Sequence, residues 1–136
     1  MMIRSAAIAA LFALMVSPAA AAGKLGPYGD DPLDRGVGFP MLQGGEAIFT
    51  GVCQGCHMQD AKGAVGAGAY PALAKDSKLE SAGYPVAVIT HGQKAMPPLG
   101  DFLDDRQVAD VVNYIRGNFG NKYRDKVSAA DVKAAR

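Results

Sequence analysis

Apolar residues fall into a few separated blocks along this chain, and each block has its own period. Val108, Val111, Val112 and Ile115 form one stripe at helical spacing, which predicts a helix over Asp104 to Asn118 ending at Gly117 and Gly120. Ala47, Ile48, Phe49 and Val52 repeat in the same way and predict a short amphipathic helix over Gly45 to Gly55. Tyr84 to His91 is ambiguous, because its β-branched residues suit a strand whereas Pro85 suits the first turn of a helix. Pro71 to Leu79 reads as a turn and a short helix, and Ser128 ahead of Ala129-Ala130-Asp131 is a candidate N-cap for a terminal helical turn.

Between these blocks lie loops. Gln59 to Tyr70 is rich in Gly and Ala, with Gly63, Gly66 and Gly68; no strand precedes it and no Lys-Ser/Thr pair follows, so it reads as a packing loop and not a phosphate loop. Gly92 to Gly100 is a loop stiffened by Pro97 and Pro98. The pattern predicts a small, mainly helical domain with long connections.

One apolar block is different in kind. Met1 to Ala22 has Arg4, an apolar run from Ala6 to Val16, and Ala20-Ala21-Ala22 in a small-x-small arrangement, the three parts of a cleavable export signal. Its run falls short of the ~18 residues a bilayer span requires. The organisation expected is therefore a signal peptide over 1–22, a Gly/Pro-rich extended arm over 23–44, a domain over 45–120 and a tail over 121–136.

Charge narrows the function classes. The chain has 14 basic and 13 acidic residues, and removing Arg4 with the signal leaves the two signs equal. A neutral domain lacks the cationic excess that nucleic-acid binding requires. After residue 22 no apolar run is long enough to span a membrane, so the expected product is an exported, periplasmic protein with no stable membrane span.

Two cysteines in an exported chain ordinarily suggest a disulfide. Cys53-Gln54-Gly55-Cys56-His57 has instead the C-x-x-C-H spacing of a c-type haem attachment site. Thiols one helical turn apart add across the two porphyrin vinyl groups, and the following imidazole is placed to bind iron. A thioredoxin-type pair wants a βαβ setting. A zinc site wants further ligands, and His91 is the other histidine in the chain. The covalent cofactor, haem c, would also complete a core that short helices alone leave thin.

The sixth iron ligand has two candidates. Met1, Met2 and Met15 lie in the signal, Met41 in the arm, and Met58 beside His57, which leaves Met96 in the proline-stiffened loop. Methionine gives a closed, higher-potential electron carrier. His91 would give a bis-His iron, and an open position would suit a haem enzyme or a gas sensor.

With these residues in view, the chain resembles the class I cytochromes c over roughly residues 45 to 119. The family carries a glycine eight residues and an aromatic four residues before the first cysteine, here Gly45 and Phe49, and an aromatic in the C-terminal helix, here Tyr114. It also carries a Pro-x-Leu after the motif, here Pro71-Ala72-Leu73. The resemblance implies an all-α cytochrome c fold of three to five helices around one haem, with Pro71 accepting a hydrogen bond from His57 and Leu73 packing on the cofactor. It implies electron transfer and no catalysis by the chain itself, with His57 and Met96 as axial ligands. Tyr70 to Leu73, the His91 to Pro98 loop and the tail from Val127 to Val132 are similar to cytochrome subunits of periplasmic alcohol or aldehyde dehydrogenases. That likeness implies a dehydrogenase as donor and an oxidase or another cytochrome as acceptor. Lys62, Lys75, Lys78 and Lys94 flank the inferred haem loops and are candidates for steering an acidic partner.

Overall fold

The computed structural model describes residues 39–66 and 68–136. The signal segment and most of the Gly/Pro-rich arm lie outside the described residues. The chain enters a helical rod made of α1 (Gly45–Ile48), a π-helical turn (Phe49–Cys53) and α2 (Gln54–His57). A short antiparallel hairpin follows, β1 (Ala64–Val65) with β2 (Ala69–Tyr70), and then a 3-10 turn (Ser77–Glu80). Three further helices complete the domain: α3 (Gly83–His91), α4 (Asp105–Gly117) and α5 (Ala129–Ala135).

The longest helix starts where the predicted stripe begins. The Asp104 carboxylate accepts from the Gln107 amide at 2.7 Å while the Gln107 side chain accepts from the Asp104 amide, a reciprocal capping box. Val108, Val111, Val112 and Ile115 are all buried. Ser128 caps α5 through a second such box with Asp131. Of the two readings of 84–91, helix is the outcome, with Pro85 in the first turn, where its missing N–H breaks no hydrogen bond.

The α1–α4 crossing seats the haem-motif helix. A Cβ on Gly45 would overlap the Asp110 carbonyl and the Tyr114 Cβ, so only glycine allows this approach. Beside it Phe49, Tyr114 and Phe119 form a cluster with ring centroids 4.7 to 5.8 Å apart.

Several features depart from the expectation. The Gly/Ala loop contains a hairpin, whose two-residue strands are too short to show alternation. The end of the arm is built into the domain, because the Phe39 and Leu42 carbonyls both accept from the buried Gln107 side chain. Residues 121–136 also join the core: Asn121, Val127 and Val132 are buried. Arg116 is 1% exposed, donates to the Leu79, Glu80 and Asp125 carbonyls, and pairs with the Asp125 carboxylate at 2.8 Å.

Candidate haem site

The C-x-x-C-H motif occupies the end of the first helical rod. The π turn ends at Cys53, and α2 carries Cys56 and His57. No disulfide joins the two cysteines; Cys56 is exposed and Cys53 half-buried. Burial, with a smaller contribution from Cys56, pushes the Cys53 thiol up to about 11. A thioredoxin-type nucleophile needs the opposite shift. Nor do three His, Cys, Asp or Glu side chains gather into a metal-binding group anywhere among the described residues, which disfavours a zinc centre.

After His57 the backbone reverses sharply. Met58 adopts φ 66, the Gly63 amide returns to the His57 carbonyl at 3.0 Å, and Ala61 is fully buried at φ 56. Left-handed conformations at non-glycine residues are costly, and the surrounding bonds hold these two in place. Gly63 has φ +69 and lies so close to the Tyr70 and Pro71 backbone that a side chain could not fit. The Ala61 carbonyl then accepts from the Leu73 and Ala74 amides at 2.8 and 2.9 Å. This folded-back segment delivers the Pro71 carbonyl to His57 Nδ1 at 2.9 Å. A carbonyl can only accept, so the proton sits on Nδ1 and the lone pair on Nε2, the tautomer needed for binding metal.

The other candidate ligands lie on a separate loop. Gln93 and Met96 exchange both backbone hydrogen bonds at 3.0 Å, and Gly92, at φ +74, packs against the Met96 carbonyl and the Pro98 nitrogen. The Met96 side chain is half-buried against the core. The His91 ring is exposed, and its Nε2 donates to the Ala135 carbonyl at 3.1 Å. That nitrogen therefore carries the proton, and the ring is tied to the end of α5 with its lone pair on Nδ1.

These residues fit a haem. Cys53, Leu73, Met96 and Leu99 each pack on the core and remain partly open, which leaves apolar surface for a flat apolar cofactor to cover. Leu73 is held by Asn121, whose side chain donates to the Leu73 and Ile115 carbonyls at 2.8 Å; nothing in the sequence pattern marks Asn121. The polar cleft of about 530 Å³ between Gly45, Tyr114 and Lys122 includes none of the motif residues. Of the flanking lysines, Lys62 pairs with Asp60 at 2.9 Å and Lys75 lies along Gly120.

Comparison with known proteins agrees with this geometry. The profile of the family described as cytochrome c oxidase, cbb3-type, subunit III matches residues 40–115. The chain belongs to the cytochrome c family. Cytochrome c6 from Diacronema lutheri is 34% identical over 83 residues, covering 58% of this chain and 98% of that protein. The cytochrome c subunit of a quinone alcohol dehydrogenase from Gluconacetobacter polyoxogenes is 35% identical over 105 residues, covering 68% of this chain and 22% of that subunit. A gluconate 2-dehydrogenase cytochrome c subunit from Pantoea cypripedii is 54% identical over 41 residues, 30% of this chain and 9% of that subunit. The chain thus spans between 7% and 22% of the dehydrogenase components it matches. Its matched region is a cytochrome c domain, of the kind that binds c-type haem. No helix among the described residues is long and apolar enough to cross a membrane.

Proposed function

We propose that this cytochrome c carries single electrons in the periplasm with one haem c, attached through Cys53 and Cys56 and ligated by His57 and Met96. The observation that carries this reading is the 2.9 Å hydrogen bond from His57 Nδ1 to the Pro71 carbonyl, which readies Nε2 for iron within a C-x-x-C-H motif. The bound haem supplies a reversible one-electron couple. Pro71 would orient the imidazole and raise its basicity, Leu73 would exclude water, and Met96 would be the second protein ligand, leaving no opening for a substrate. Met96 packs half-buried on the same core as Cys53 and Leu73 whereas the His91 ring is exposed, which supports Met96 as the second protein ligand.

The donor in this reading is a dehydrogenase, and the acceptor a terminal oxidase or another cytochrome. The names of the relatives from Gluconacetobacter polyoxogenes and Pantoea cypripedii support the donor. Export follows from the signal over 1–22, with cleavage after Ala22.

The test is the ferric optical spectrum of haem-loaded wild type, His91→Ala and Met96→Ala. A weak red sulfur-to-iron band is expected in the first two and absent from the third. A wild type without the band, binding CO or cyanide readily, would overturn the Met96 assignment and bring the sensing or catalytic reading forward.

A further inference from the structure

The loop bearing Met96 is closed at its base by bonds from both of its feet. It leaves α3 at Gly92 and returns beside the last turn of that helix, where the Leu99 amide donates to the Ile89 carbonyl at 2.8 Å and Gly100 to the Thr90 carbonyl at 3.3 Å. These carbonyls belong to the helix end and have few partners within the helix itself. The closure thus rests on two backbone bonds, one of them long.

A second set of contacts comes from the far end of α5. Arg136 donates through Nη1 to the Gly100 carbonyl at 2.6 Å and through Nη2 to the Leu103 carbonyl at 2.7 Å, and its Nε pairs with the Asp105 carboxylate. The neighbouring Ala135 carbonyl holds His91, the residue at the loop's other foot. Two consecutive residues therefore grip both ends of one loop. A Cβ on Gly100 would stand 2.7 Å from the Thr90 carbonyl and 3.0 Å from Arg136 Nη1, so the glycine admits first the loop's return to α3 and then the guanidinium. The planar fork reaches these acceptors from three separate nitrogens, whereas a lysine ammonium carries its three donors on one. The helix that carries this grip is itself fixed, with Val132 fully buried and Ser128 capping its start.

We propose that Arg136 is a positioning residue for the axial methionine: its clamp on Gly100 and Leu103 keeps the Met96 loop shut. The inference rests on the Met96 reading above. The guanidinium acts through the loop's backbone, at Gly100 and just beyond it at Leu103. Loosening them lets the loop open locally without unfolding the domain, and each opening exposes the iron position to an outside ligand.

The experiment measures the rate of cyanide binding to ferric, haem-loaded full-length protein under conditions where every variant is folded. Arg136→Ala should bind cyanide about tenfold faster than wild type, as loss of a charge-assisted bond network implies. Ile48→Val weakens the core away from the clamp and should leave the rate near wild type, so general destabilisation is separated from loop opening. Arg136→Lys, the milder variant, should show a smaller increase and serves if the alanine variant does not accumulate as folded holoprotein. An Arg136→Ala rate equal to wild type, or raised no more than by Ile48→Val, overturns the clamp while the sulfur-to-iron band of wild type still upholds Met96. Absence of that band from wild type removes the Met96 reading itself, and the clamp with it.

Discussion

The two sides of the proposed iron position are built by different means. On the His57 side the essential groups are contiguous: two cysteines and a histidine within one helical end, with Pro71 brought back by a short reversal through Gly63. On the Met96 side the loop is held by residues remote in sequence, including His91 bonded to Ala135 and Arg136 bonded to Gly100 and Leu103. A local motif carries its geometry wherever its helix goes. A loop-borne ligand depends on the whole fold to hold it, so in the proposed ligation the Met96 side is where the bond to iron should be lost first.

The largest disruption should come from a place where the His57 side does depend on distant packing. Gly45→Val forces a side chain into the Asp110 carbonyl and Tyr114 Cβ, and neither can move cheaply because both belong to α4. A loss of about 3 kcal/mol is expected, measured by denaturant unfolding, with ligation unchanged in whatever fraction folds. On the Met96 side, Asp104→Ala removes the N-cap of α4 just beyond the loop. It should cost about 1 kcal/mol by the same measurement. If the two costs came out equal, the steric account of the α1–α4 crossing would fail.

Much of this division is legible in the amino-acid sequence alone. The stripe of α4 and its Asp104 cap, the Ser128 cap, and the C-x-x-C-H motif are local patterns. Gly45, Phe49 and Tyr114 are recognisable through family resemblance, and their close packing in the fold gives the reason. The hairpin at Ala64 to Tyr70 is hidden because its strands are two residues each and made largely of small side chains. Arg116 and Gln107 each lie four residues from a buried valine, so helical periodicity does place them on the inner face; their charge and polarity disguise it. Asn121 and Arg136 carry no periodic signal at all, since Asn121 lies beyond the end of α4 and most of their partners lie 31 to 48 residues away. The residues that hold the methionine loop are thus the ones that only the fold brings together.

Everything said of the iron position depends on Cys53 and Cys56 holding one haem covalently. The most direct test is the intact mass of the exported protein under denaturing conditions. The expected result is a polypeptide starting near Gly23 plus the mass of a single haem, with colour that survives denaturation. Replacing both cysteines with alanine should abolish the added mass. A colourless chain two hydrogens lighter than its reduced form, carrying a Cys53–Cys56 disulfide, would contradict covalent haem attachment.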